Sequence, residues 1–310
     1  MRQKEVWPSF LVIGAGKSGT TSLQNYLEQH PDVFMSAVKE PNFFGLEDKT
    51  IDDFSYSEEA KAFFKNSVTN LDDYLALFVD ASKARAVGEI SNTYLYHESA
   101  CKKIKHYLPG VKLIAIFRQP TERLYSRYLH LARENRLPTP TFDACLDTES
   151  IWWKRPDLIQ EGFYYKHLSK FYSEFDSNQI KVLLYEELQK DPRKLMESLY
   201  HFIGVDDSFN PDLTIKLNSS GFVKNKFVNQ LVGGKGLVAR AGKSILPEKA
   251  ISMLKNKRVI QKKLNKVREK NLVKPELDLE LKNQVTRVYE DDIKQLADLI
   301  KRDLSHWLPQ

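Results

Sequence analysis

The sequence predicts an α/β fold, a single domain over residues 1–310 with a central, mostly parallel sheet flanked by helices. Three observations predict it. A short continuous apolar run stands at Phe10–Ile13 (FLVI), and mostly apolar runs follow at Val111–Phe117 (VKLIAIF) and Gln179–Tyr185 (QIKVLLY), the pattern of strands buried on both faces. Each run is followed by a stretch with helical spacing, and strands that alternate with helices close into parallel sheets. The first run ends in a glycine-rich, P-loop-like turn, so strand, loop and helix follow in the order that makes an anion site at a helix N-terminus.

In chain order, Phe10–Ile13 is the first strand and residues 18–28 the first helix, with Leu23 and Leu27 four apart beside Tyr26. Val33–Met35 reads as a short strand and Val87–Glu89 as another. Val111–Phe117 is closed by Arg118-Gln119-Pro120, and Thr121–Leu131 looks helical. Gln179–Tyr185 leads into a helix from about Asp191 to Phe202. From about 233 to 274 the chain turns rich in Lys and Arg. Its Val259–Lys270 part reads as a solvated amphipathic helix, or as a basic rim facing an acidic acceptor. Leu277–Trp307 carries helical periodicity through Leu281, Val285, Val288, Ile293, Leu296 and Ile300. No internal repeat or low-complexity linker divides the chain.

With 310 residues and 42% apolar content the chain can bury a substantial core. A formal charge of +6 suits an anionic ligand but is too thinly spread to suggest nucleic acid. Two cysteines, Cys101 and Cys145, stand in no paired motif, which excludes a disulfide framework and a cysteine zinc site. No signal peptide and no stretch of ~18 apolar residues is visible. The expectation is a cytoplasmic protein with no membrane span and no metal.

The most informative stretch is Gly14-Ala-Gly-Lys-Ser-Gly-Thr-Thr-Ser-Leu23. Glycines let backbone N–H groups approach an anion. Lys17 adds a mobile charge, and Ser18, Thr20, Thr21 and Ser22 add hydroxyls at a helix N-terminus. A nucleotide triphosphatase loop, G-x-x-x-x-G-K-S/T, ends in the same way. Its first glycine, however, would fall on Leu11, inside the strand. At the end of the Val111–Phe117 strand, Arg118 offers a fork of donors, and Ser126 follows eight residues on.

These residues resemble the PAPS-dependent sulfotransferase family, above all its carbohydrate and heparan-sulfate branch and its bacterial relatives; PAPS is 3′-phosphoadenosine 5′-phosphosulfate. Phe10–Leu23 is similar to the family's phosphosulfate loop, G-x-x-K-S/G-G-T-T/S-S/A-L. Phe117–Tyr128 is similar to its 3′-phosphate motif, F-R-x-P-x-x-R-x-x-S-x-Y/W. Lys39–Phe44 (KEPNFF) resembles its K-E-x-x-F/Y-F segment. Gly88–Tyr94 resembles E-K-S/T-P-x-Y, with Ile90 and Asn92 in place of the usual Lys and Pro. Tyr185–Pro192 resembles R-Y-E-D/E-L-x-x-D-P, with Leu184 where Arg is usual, and Asp303–Trp307 resembles the closing D-L-S-x-W. Asn218–Gly221 with Lys224 resembles a later loop over the nucleotide. The likeness runs from Phe10 to Trp307.

The resemblance implies a sulfotransferase with PAPS as co-substrate and a carbohydrate as the favoured acceptor. Lys17 would contact the bridging oxygen and the sulfuryl group. Ser18, Gly19, Thr20, Thr21 and Ser22 would hold the 5′-phosphate, Arg118 and Ser126 the 3′-phosphate, and Ser220, Gly221 and Lys224 would cover the nucleotide. Glu40 matches the position of the catalytic glutamate and would take the acceptor's proton. Lys39 beside it would neutralise sulfuryl oxygens. His97, His130 and Glu89 are the other candidates for proton transfer. Phe43, Phe44, Trp152, Trp153, Tyr164 and Tyr165 either stack on an acceptor or pack the core. Two other readings stand beside this one: a nucleotide-dependent kinase or triphosphatase, and an inactive anion- or glycan-binding protein of the same fold.

Overall fold

The computed structural model describes residues 5–55, 58–214, 222–223, 272–273 and 275–310. Five parallel strands form the central sheet: β1 (Phe10–Gly14), β2 (Val33–Met35), β3 (Ala86–Ile90), β4 (Lys112–Phe117) and β5 (Ile180–Leu184). Their spatial order is β2-β3-β1-β4-β5. Phe10 pairs with Gly88 on one side and with Lys112 on the other. The chain builds β2 and β3 to one side of β1 and then crosses to build β4 and β5 on the other. The carboxyl end of β1 therefore lies where the winding reverses, the place at which open α/β sheets bind ligands.

Alternation along each strand explains why the runs are mostly apolar, with Lys112 of β4 and Lys181 of β5 the half-buried polar exceptions. Phe10 and Val12 of β1 pack on one face with Ile114 and Ile116 of β4. Leu11 and Ile13 pack on the other with Leu113, Ala115 and Phe117. The first face is covered by the Thr20–Leu27 and Pro192–Ile203 helices, through Leu23, Leu27, Leu199 and Tyr200. The second is covered by the Ala100–Tyr107, Pro120–Arg133 and Tyr164–Glu174 helices and the C-terminal helices. Burying each large strand side chain stabilises by about 1.5–3 kcal/mol.

The C-terminal periodicity resolves into two helices, Leu279–Val288 and Glu290–Ile300. They break at Tyr289, whose buried hydroxyl donates to the Ile159 carbonyl at 3.1 Å. Asp292 accepts from the N–H groups of Tyr165 and Lys166 at 2.9 and 3.0 Å, so it caps the Tyr164–Glu174 helix from a distance. Phe222–Val223 pairs antiparallel with Leu272–Val273. The Val259–Lys270 helix expected from the sequence lies outside the described residues, as do Ser220, Gly221 and Lys224. Among the described residues no helix is long and apolar enough to cross a membrane.

Candidate active site

A cleft of ≈ 670 Å³ opens at the carboxyl edge of the sheet. Its floor is the turn after β1. Gly19 holds a left-handed φ of 100°, and a Cβ there would come within 2.7 Å of the Leu188 side chain. The chain needs glycine at this point to press the loop onto Leu188 and Tyr185. The Thr20–Leu27 helix starts at once, and the N–H groups of a first turn have no acceptor inside the helix. Gly16, Lys17, Gly19, Thr20, Thr21 and Ser22 all line the cleft. Ser18 does not; it is fully buried, with its side chain toward the buried Tyr164 hydroxyl.

The loop is held from far along the chain. The Gly16 N–H donates to Glu161 Oε1 at 2.6 Å, and Glu161 Oε2 meets Arg123 Nη1 at 2.9 Å, with both side chains buried. A Cβ on Gly16 would stand 3.0 Å from the same carboxylate. Arg123 also donates to the carbonyls of Leu158 and Asp157. Burial pushes the Glu161 carboxyl up to about 7, against the pull of Arg123.

Lys17, half-buried, faces this space among cations. Burial first, then Arg127, Arg133, Lys39 and Arg118, push its ammonium down to about 7. Nothing else in the cleft is so clearly arranged for an anion: its lining carries seven Lys or Arg side chains against four carboxylates.

Arg118 and Ser126 line the same cleft. Arg118 is 7% exposed, stacks on the Tyr185 ring at 4.8 Å and pairs with Glu122 at 3.0 Å. Its Nε is buried with no partner, a donor left over for a ligand. Glu122 is held in turn by Lys282 at 3.2 Å. The Pro120–Arg133 helix, begun by Pro120 and capped by Gln119, presents Ser126, Arg127, His130 and Arg133 to the cleft. Arg127 and Arg155 are both tied to Asp157.

On the opposite wall, Glu40 has a φ of 56° and Asn42 a φ of 59°. The Glu40 N–H donates to the Ile90 carbonyl at 2.9 Å, and Asn42 Nδ2 donates to the Glu40 carbonyl at 2.6 Å. Asn92 Nδ2 donates to Glu40 Oε1 at 2.7 Å. Lys39 Nζ reaches across to Thr21 Oγ1 at 2.5 Å, so the two walls touch.

The structure thus gathers Lys17, Gly19, Thr20, Thr21, Ser22, Lys39, Glu40, Arg118 and Ser126 around one space. Of the alternative proton carriers, Glu89 is 1% exposed and bonded to Ser91 and Tyr74, away from the cleft lining. His130 does line the cleft, but burial and its cationic neighbours push it down to about 3. His97 lines it too, lowered by burial. The aromatic residues singled out from the sequence pack in or against the core, Trp153 and Tyr165 half-buried at its edge. Phe43, Phe44, Trp152 and Tyr164 are fully buried, and Tyr164 stacks on Phe117 at 4.3 Å. The aromatic rings that do line the cleft include Phe54, Phe63, Tyr96 and Tyr185. Missed from the sequence were Arg127, Arg133, Arg155 and Glu161. Only the helical spacing of Arg127, His130 and Arg133 behind Ser126 signalled a shared face.

Comparison with known proteins adds three findings. The model of the sulfotransferase domain matches residues 8–298. The chain is 27% identical over 228 residues to bifunctional heparan sulfate N-deacetylase/N-sulfotransferase 4 of Mus musculus, a match covering 67% of this chain and 24% of that protein. It is also 27% identical over 254 residues to bifunctional heparan sulfate N-deacetylase/N-sulfotransferase 2 of Homo sapiens, covering 76% and 27%. The chain spans about a quarter of the length of these relatives. A sulfotransferase crystal structure from Alicyclobacillus acidocaldarius superposes with a TM-score of 0.69 at 25% identity, covering 97% of this chain and 99% of that one.

Proposed function

We propose that this chain, which belongs to the sulfotransferase family and is a sulfotransferase, takes a sulfuryl group from PAPS and delivers it to a hydroxyl or amine of a carbohydrate. The observation that carries the reading is the meeting of the Gly14–Ser22 loop, Arg118 with Ser126, and Glu40 with Lys39 in one cleft. A triphosphatase reading is disfavoured by the position of Leu11, fully buried within β1 where that motif needs its first glycine. The similarity to heparan sulfate N-deacetylase/N-sulfotransferases supports a glycan acceptor. The buried, free Cys101 and Cys145, both thiols pushed up to about 12 by burial, fit the cytoplasmic setting we assign.

The donor supplies a sulfur bonded to a phosphate that can leave. Transfer is an in-line displacement in which the acceptor O–S or N–S bond forms as the bond from sulfur to the phosphate oxygen breaks. Glu40 takes the acceptor's proton through Oε2, because Oε1 is engaged by Asn92. Lys17 and the N-terminus of the Thr20–Leu27 helix stabilise the charge that grows on the leaving oxygen. Lys39, held at Thr21 Oγ1, offers its charge to the sulfuryl oxygens. Arg118 and Ser126 bind the 3′-phosphate and so fix the donor's register.

The test is transfer of label from ³⁵S-PAPS to a panel of oligosaccharides, lipids and phenols in the presence of EDTA, with isothermal titration of 3′-phosphoadenosine 5′-phosphate alongside. We expect EDTA-resistant transfer to an oligosaccharide, and product binding that is lost in Arg118→Ala. Strict dependence on magnesium, or tighter binding of ATP than of the bisphosphate, overturns the reading.

A further inference from the structure

We infer that Asn92 is the positioning residue of the base. Resting on the sulfotransferase reading, it holds one oxygen of Glu40 with a neutral donor so that the other faces the acceptor. The short segment after β3 acts as a template for the turn that carries Glu40. Ile90 accepts the Glu40 N–H at 2.9 Å, Ser91 Oγ accepts the Asn42 N–H at 3.0 Å, and Thr93 Oγ1 donates to Asn42 Oδ1 at 2.7 Å. These three contacts fix the backbone of residues 40–42 and the Asn42 side chain. Asn92 is the member of the segment that reaches the reacting carboxylate, with Nδ2 at 2.7 Å from Oε1, and it lines the cleft beside Glu40.

The other end of the amide supports this direction. Asn92 Oδ1 is buried and has no partner, so the side chain's hydrogen bonding is committed to Glu40. Turning the amide over would set two acceptors 2.7 Å apart. A neutral donor also suits the task. A cation at that distance would strongly favour the ionised carboxylate and weaken it as a base. The nearest lysine in sequence, Lys39, is bonded instead to Thr21. A carboxylate free to rotate would present either oxygen or neither, and misplacement by about 1 Å can cost on the order of 10²-fold in rate.

The experiment compares wild type, Asn92→Ala and Asn92→Asp for transfer from ³⁵S-PAPS to a de-N-acetylated glucosamine oligosaccharide. The thermal midpoint and the Kd for 3′-phosphoadenosine 5′-phosphate are measured on each. We expect Asn92→Ala to lower kcat about ten- to a hundredfold while the bisphosphate Kd moves less than about threefold. Asn92→Asp keeps the volume and sets a second carboxylate against Glu40. Its acid limb of kcat against pH should move up by about one unit or more, as for paired carboxylates. This arm gives the answer even where the alanine variant fails to fold. Near-normal turnover in Asn92→Ala, or an unmoved acid limb in Asn92→Asp, overturns the inference while leaving the sulfotransferase reading intact. A wild type that binds the bisphosphate yet transfers no label to this acceptor or to any of the panel overturns that reading, and this inference with it.

Discussion

The two walls of the cleft are anchored by different chemistry. The wall built by the turns after β1 and β4 is tied down by charge: Glu161 bonds the Gly16 N–H and pairs with buried Arg123, while Arg118 is paired to Glu122 and Glu122 to Lys282. The corner that carries Glu40 is tied down by amides, Asn42 on its backbone and Asn92 on its carboxylate. A site that must attract an anion can use ion pairs as struts, because the cations that line it remain in excess. A carboxylate that must accept a proton is better held by neutral donors, which orient it without fixing its charge.

The sharpest way to break this contrast is to remove one strut from each wall. Glu161→Ala leaves Arg123 buried and uncompensated, so it should cost about 3–5 kcal/mol in urea denaturation. Asn42→Gly tolerates the left-handed φ and loses only neutral hydrogen bonds. It should cost about 1–3 kcal/mol. Equal losses would mean that the charged anchor is no more than another hydrogen bond.

Function should divide along the same line. Glu40→Gln keeps size and hydrogen bonding but cannot take a proton, so kcat should fall by roughly 10²-fold or more. The bisphosphate Kd should change by less than about threefold (~0.7 kcal/mol). Lys17→Ala should lower kcat and also weaken donor binding, because the proposed mechanism sets Lys17 against the donor itself. Single-turnover kinetics with titration on the same samples reads both.

A smaller effect tests the electrostatics directly. Burial and the neighbouring cations push Lys17 from 10.5 to about 7. Below about 7 it is protonated whether the chain is folded or not. From there to 10.5 only the unfolded chain holds the proton, so Lys17's contribution to stability rises with pH across that window. An anion reverses the shift. Binding of the bisphosphate near pH 8 should therefore take up as much as about one proton, read from titration heats in Tris and in HEPES. Lys17→Met should abolish the uptake. Uptake that persists in the variant would place the shifted group elsewhere.

What was legible in the sequence follows from how local the signal is. β1 is a continuous apolar run, and β4 and β5 nearly so, because both faces of the sheet are covered. The glycine loop, Glu40, Arg118 and Ser126 sit in short patterns whose meaning is carried by neighbours in sequence. The arginine wall and Glu161 have no such pattern. Glu161 reaches Gly16 across 145 residues, and nothing near residue 161 in the chain announces the contact. The aromatic residues were ambiguous for a related reason: type does not tell burial, and Phe43, Phe44 and Trp152 went inside while Phe54 and Phe63 lined the opening. The Leu277–Trp307 periodicity was real, but its break at Tyr289 depends on a partner, Ile159, from another part of the chain.

The excursion between β2 and β3 is clamped at its root. The Asp32 carbonyl accepts from the N–H groups of Arg85 and Ala86 at 2.9 and 3.1 Å, and the Ser36 N–H donates to the Gly88 carbonyl at 2.9 Å. Glu40, Phe54 and Phe63 lie in this excursion, which leaves the sheet from β2, an edge strand paired with β3. Closing a longer loop is cheap, about 0.6 kcal/mol for each doubling of its length. Phe43 and Phe44 near the start of the excursion and Tyr74 and Phe78 near its end pack in one cluster with Leu11 and Ile13 of β1, so only positions between them that face the cleft can be rewritten without disturbing the sheet. Phe54 and Phe63, which line the cleft between those buried groups in the sequence, are in that sense the exchangeable positions of this wall, and replacing them would be a route to altered ligand choice with the turn after β1 unchanged.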